Sequence, residues 1–161
     1  HVYDCDAAAK RLIAQNKGLQ AKLNILLGKN VFVNGIFNKQ ALAQFLLEND
    51  ANRIAVNDII HPAVAQDFMC SGYNWLESAI LFDSGFNKRI SFDKIICVTA
   101  PKEVRISRIM QRDNISRDRA LEWINKQLPQ NEILSMSDFE IINDGVVNLE
   151  EQIDRILLII K

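Results

Sequence analysis

Cysteine, proline and glycine are all scarce in this sequence: 161 residues hold three, three and six of them. Cys5, Cys70 and Cys97 stand far apart, with no CxxC pair and no metal-type spacing. That excludes a disulfide framework and a zinc ribbon, fits a reducing compartment, and leaves three apolar core thiols as the expectation. Long apolar runs are missing too. The most apolar stretch, "ILLII" at 156–160, only ends a polar-faced helix, well short of the roughly 18 residues of a membrane span. No signal-peptide pattern opens the chain, so the cytoplasm is expected. Charge of one sign is lacking as well. A net charge of −1 gives no bulk pull toward nucleic acid, and neither nucleic acid nor membrane is expected as a partner. Among the few glycines, none forms a G-x-x-x-x-G-K-[ST] loop; "LLGKN" has the GK but neither the upstream glycine nor the hydroxyl. The first residues, "HVYDCD", carry no Met and run straight into a strand-like stretch, which creates the expectation of a segment upstream.

With 48% apolar and 24% charged residues, the chain reads as one globular domain with a proper core. "HVYDC" predicts a short buried strand, and Asp6 is expected to cap the helix "DAAAKRLIAQN", stopped by Asn16 and Gly18. "LQAKLNILLG" predicts a second helix ended by Gly28, "VFVNGIF" a hairpin around Asn34-Gly35, and two more helices follow to residue 72. The rhythm then changes. "NWLESAILF" and "FDKIICVTA" predict strands covered on both faces, and Pro101 opens the helix "PKEVRISRIMQRD". Ser116 is expected to cap "SRDRALEWINKQL", "DFEIIND" is a strand, and Asn148 starts the last helix. Strands alternating with helices argue an α/β fold with a parallel sheet.

Arginine is concentrated. Arg105, Arg108, Arg112, Arg117 and Arg119 fall within residues 105–119, where lysine is absent. A solvated face needs only charge, whereas a guanidinium adds a fixed fork that matches phosphate oxygens. Arg105, Arg108 and Arg112 share one helix face, opposite Ile106, Ile109 and Met110, so Arg105 and Arg108 read as surface or core-edge support. Arg112 stands where one helix ends and the next restarts, a placement that lets it swing onto a ligand. Ligands gather beyond the carboxyl ends of parallel strands. There Asp4 can take a proton from a hydroxyl nucleophile or hold Mg²⁺ directly or through water. His61, in "NDIIHPAV", has Pro62 to fix the backbone beside it. From residues alone the chain is an α/β enzyme suited to phosphoryl transfer.

Six ordered stretches resemble the dephospho-coenzyme A kinases, P-loop enzymes of coenzyme A synthesis. They are "VYDCDAAAKRL", "VFVNGIFNKQALAQFLL", "VNDIIHPAV", "SAILFDSGF", "RIMQRDNISRDRA" and "QLPQNEILSMSDFEIINDG", running in register from residue 2 to about 155. The resemblance implies a P-loop kinase-like core and transfer of the ATP γ-phosphate to the ribose 3′-hydroxyl of dephospho-coenzyme A, with Mg²⁺. It implies Asp4 as base, near the Mg²⁺, and Arg112 as the lid arginine on the transferring phosphoryl group, with Arg117 assisting at the nucleotide. Asp6, Lys10, His61 and Asp83 would serve the acceptor, and Asn143 would lie near the base of ATP. Residues 18–70 would form a helical acceptor-binding region and 112–131 a lid, the remainder being the α/β core. The sequence departs from the family at Lys10 (an arginine there), at Ala79 and Asp83 (proline and glutamate), and at Ile133 (a basic residue). The family's opening strand and Walker A loop have no counterpart in these residues, so the 161 residues alone are expected to transfer phosphate poorly. Two alternatives remain open at this point: a non-catalytic relative that binds dephospho-coenzyme A, and another small-molecule P-loop kinase. The oligomeric state is open as well.

Overall fold

The computed structural model describes residues 1–33 and 36–160. It divides into two compact units, His1–Ile90 and Ser91–Lys161. The expected Asn34-Gly35 turn lies outside the described residues.

In the first unit, β1 (Tyr3–Asp4) leads into α1 (Cys5–Gln15), α2 (Lys17–Leu27), β2 (Phe32–Val33), β3 (Ile36–Phe37), α3 (Lys39–Glu48), α4 (Asp50–Ser71) and β4 (Leu76–Glu77). β1 and β4 pair in parallel, β2 and β3 antiparallel. Each helix starts on an Asp or Asn whose side chain accepts a first-turn N–H: Asp4 from Ala7, Asn16 from Leu19, Asn38 from Ala41 and Asn49 from Asn52. These are donors that a helix start otherwise leaves unpaired. Gly28 and Gly72 close α2 and α4 in the left-handed conformation that a side chain resists. α4 runs on through Pro62 and packs against α1, α2 and α3, burying Val56, Ile60 and Val64. Leu23 on α2 is completely buried at 0% exposure. Leu23→Ala is therefore expected to cost about 2–5 kcal/mol, read as a lowered urea midpoint at unchanged slope.

In the second unit, β5 (Ile96–Thr99) and β6 (Phe139–Ile142) pair in parallel from Ile96↔Phe139 to Thr99↔Ile142. α5 (Lys102–Asp113), α6 (Arg117–Asn125) and α7 (Gln130–Ser135) connect them, and α8 (Leu149–Ile159) follows. α5 and α6 close on Ile106, Ala120 and Ile124, with Ile109, Met110, Ile115 and Leu121 around them. Ser116 caps α6 and Asn148 caps α8, as the sequence reading has it. The α/β class with parallel strands holds.

Several local expectations are corrected. Asp4, not Asp6, caps α1, because the strand ends one residue earlier than its apolar pattern suggests; Asp6 lies in the first turn. Gly18 falls inside α2, since the Asn16 cap restarts the helix at Lys17. Of "NWLESAILF" only Leu76–Glu77 is strand, and residues 79–85 are turns, which the apolar side chains there do not reveal. β5 is not covered on both faces: Val98 is 61% exposed between buried Cys97 and Thr99. α7 is an addition to the elements expected from the sequence, which end the preceding helix before Pro129. Of the three thiols, Cys97 is buried and Cys5 partly so, but Cys70 is exposed at the end of α4, where its sulfur accepts from Gln66.

Candidate active site

The first unit gathers acid at one end of a strand pair. Parallel register sets Asp4 beside Glu77 where β1 and β4 end. One Asp4 oxygen, Oδ1, accepts the Ala7 N–H at 2.9 Å. The residue is exposed, so its carboxylate serves the cap and still faces outward. Burial pushes the Glu77 carboxyl above its ordinary value, and the charges of Asp4 and Asp6 push the same way. The Cys5 thiol is pushed up to about 12, first by burial and then by Glu77, Asp6 and Asp4. A thiol in that field stays protonated and does no nucleophilic work.

β1 is pinned to α4 by a partly buried knot. The Tyr3 hydroxyl donates to Asp67 Oδ2 at 2.6 Å, and Arg11 Nη2 reaches the same oxygen at 2.5 Å. Burial raises the Asp67 carboxyl, but the Arg11 and Tyr3 hydrogen bonds outweigh it and hold it below the carboxylate range. Lys10, the residue singled out from the sequence, is exposed on α1, whereas its neighbour Arg11 makes the structural ion pair. Asp83 is exposed within the turns after β4.

His61 sits half-buried on α4, edge-on to Phe86 with ring centroids 5.7 Å apart. Its Nδ1 is buried and has no partner among the described residues. Burial lowers its pKa below the ordinary value, and the Arg89 guanidinium adds to that, against the opposing charge of Asp58. The ring is therefore neutral at neutral pH.

In the second unit each arginine of the cluster has a definite partner. Arg112, in the last turn of α5, grips the adjacent Asp113 with Nε at 3.1 Å from both carboxylate oxygens and Nη2 at 2.7 Å from one. The next residue, Asn114, ends the helix with φ of 51°, a left-handed conformation that asparagine tolerates better than most. Arg117 forks onto Glu103 with two bonds of 2.8 Å, Arg119 reaches Glu122, and Arg105 reaches Gln130. Arg108 holds Asn143, which stands just past the end of β6. A shallow groove beside α5 is lined by Ile106, Met110, Asn114 and Arg117.

The residues thus present strand-end carboxylates, a neutral histidine with a spare nitrogen, and guanidiniums at a helix break. The model of the family described as dephospho-CoA kinase matches residues 1–149. The chain belongs to the dephospho-CoA kinase family. It is 36% identical to the dephospho-CoA kinase of Bacteroides fragilis over 94% of this chain and 77% of that one. It is 32% identical to that of Porphyromonas gingivalis over 97% and 80%. A crystal structure from Thermus thermophilus superposes with a TM-score of 0.79 at 26% identity, covering 98% of this chain and 83% of that one. A dephospho-CoA kinase from Campylobacter jejuni shares the fold at 22% identity with a TM-score of 0.59.

Two residues have contacts that the sequence alone does not show. Glu77 read only as a break in an apolar run; a lone carboxylate in such a run was the available signal, and register sets it beside Asp4. Arg108 reads as surface or core-edge support, yet it is the partner of Asn143. No short-range pattern announces a contact across 35 residues.

Proposed function

We propose that Asp4 accepts the proton of the ribose 3′-hydroxyl while Arg112 stabilises the charge on the phosphoryl group passing from ATP to that oxygen. The bond formed joins the 3′-oxygen to the γ-phosphorus, and the bond broken frees ADP. The chain is an ATP-dependent dephospho-CoA kinase by family; these residue roles are the finer reading. The observation that carries it is the exposed carboxylate of Asp4 at the carboxyl end of a parallel strand, where α/β enzymes collect ligands. In phosphoryl transfer the protein acts mainly by positioning and electrostatics, which suits one base and one mobile guanidinium.

His61, neutral and with an unpartnered buried Nδ1, helps hold dephospho-CoA, together with Asp6, Lys10 and Asp83. A polar atom left buried without a partner costs on the order of 1–3 kcal/mol, a cost that suits an atom kept for a ligand. Residues 18–70 form the acceptor region and 112–131 the lid, with Arg117 and Asn143 at the nucleotide. The described residues contain no cluster of three His, Cys, Asp or Glu side chains set to cage a metal. That agrees with Mg²⁺, which keeps most of its waters and needs only one or two carboxylates beside the phosphates. Asp4, through water, fits that part, and the ion would supply neutralising charge at the phosphates. No helix among the described residues is long and apolar enough to cross a membrane, and the cytoplasm is the proposed location.

The 161 residues contain no G-x-x-x-x-G-K-[ST] loop, so a chain of these residues alone is expected to turn over poorly. The test therefore uses the intact gene product with ATP and dephospho-CoA, detecting the 3′-phosphorylated product by mass. Turnover is the expected outcome. Dephospho-CoA binding in a calorimeter without turnover would instead mark a binding relative.

A further inference from the structure

We propose that Arg108 is a positioning residue that locks the Asn143 carboxamide with its oxygen toward the guanidinium, so that residue 143 meets the nucleobase only as a hydrogen-bond donor. The proposal rests on the reading of Asn143 as a base contact.

The geometry comes from two bonds made by one guanidinium. Arg108 Nη1 donates to the Asn143 backbone carbonyl at 2.8 Å, and Nη2 to Asn143 Oδ1 at 3.2 Å. Oxygen and nitrogen of a carboxamide are easily exchanged in a structure. Here the chemistry decides, because a guanidinium has donors only and the atom facing it must be the oxygen. The Asn143 N–H is also taken, donating to the Thr99 carbonyl at 2.7 Å. Both acceptors of the residue and its backbone donor are therefore engaged. Nδ2 is the group with no partner among the described residues, and it is aimed away from Arg108.

The surroundings hold this arrangement still. Asn143 directly follows β6, whose last pair is Thr99↔Ile142. Asp144 accepts the N–H groups of Val146 and Val147 at 2.8 and 2.9 Å, which shapes the turn beyond. Gly145 sits there with φ of 87°, and a Cβ on it would lie 3.9 Å from Arg108 Nη2. A fixed N–H₂ pairs with a ring nitrogen or carbonyl oxygen of a base, and it cannot accept from an exocyclic amine. Adenine offers its ring nitrogens N1 and N7 to such a donor. Without Arg108 the carboxamide is free to turn over, and ordering it falls to the nucleotide as a binding cost.

The test is a double-mutant cycle in the intact gene product, read as KM for ATP and for dephospho-CoA. Asn143→Ala is expected to raise KM for ATP about tenfold, the worth of one good hydrogen bond. Arg108→Met is expected to raise it roughly five- to tenfold, since the same bond becomes poorly aimed. The double variant should match Asn143→Ala within about twofold, because residues acting through one contact are not additive. KM for dephospho-CoA should move less than about twofold throughout, a split that general loosening of the fold would not give. If Arg108→Met does not fold, Arg108→Lys takes its place, keeping the charge while losing the fork. An Asn143→Ala enzyme with unchanged KM for ATP would show that residue 143 does not meet the base, and the underlying reading falls. If Asn143→Ala acts as expected but the Arg108 variants do nothing, or the two effects multiply, the locking role is overturned and the base contact stands.

Discussion

Arg112→Ala is expected to lower kcat by on the order of 10³-fold while KM for dephospho-CoA changes little, as when an arginine finger is removed from a phosphoryl-transfer site. The side chain stands in the last turn of α5, two residues before the left-handed Asn114 and four before the α6 cap Ser116. Its present partner is its own neighbour. The Arg112 hydrogen bonds hold the Asp113 carboxyl below its usual range; Arg112 is exposed and Asp113 partly so. A pair of adjacent residues with one partner exposed is weak and salt-screened. A triphosphate, bearing several charges and oxygens that match the fork, competes with it easily. Arg112→Lys should recover only part of the loss, because an ammonium supplies charge without the bidentate geometry. Asp113→Asn, which releases the fork, should leave kcat close to wild type. Steady-state kinetics of the three variants in the intact gene product decide the matter. An Arg112→Ala enzyme within about tenfold of the wild-type kcat would remove Arg112 from the transition state.

How far the sequence carries depends on the range of each interaction. Ser116 and Asn148 are read correctly as caps because a cap involves only the next three residues. The α/β class follows from periodicity, and six ordered motifs carry the family. The failures are of a different kind. Whether Asp4 or Asp6 caps α1 depends on where the strand stops, and β1 stops where its pairing with the two residues of β4 runs out. The closeness of Glu77 to Asp4 is a matter of register between segments far apart in the chain, and the Arg108 fork on Asn143 is likewise long-range. The Arg11–Asp67–Tyr3 knot is long-range too, and nothing local distinguishes Arg11 from Lys10 beside it. Local patterns name the elements; the contacts that aim catalytic groups lie between elements, where a single sequence has little signal.

Asp4→Asn separates the cap that this side chain makes from the proton acceptance proposed for it. Asparagine caps helices about as well as aspartate, and the bond that matters here is a carbonyl-type oxygen accepting the Ala7 N–H. The variant should therefore fold with a melting temperature near wild type. Its carboxamide is no base, and kcat is expected to fall by roughly 10²- to 10⁴-fold, the usual worth of a positioned proton acceptor. Asp4→Ala removes the cap as well and should add about 1 kcal/mol of lost stability, within a range of roughly 0.5–2. The pair of variants thus reads stability and chemistry on separate axes. Glu77→Gln is the neighbouring control. It removes a like charge across the strand pair and keeps the shape, so a loss as large as that of Asp4→Asn would move the proton acceptor from Asp4 to Glu77. If Asp4→Asn keeps its melting temperature and also its kcat, the carboxylate is a cap and nothing more, and the base must be sought elsewhere.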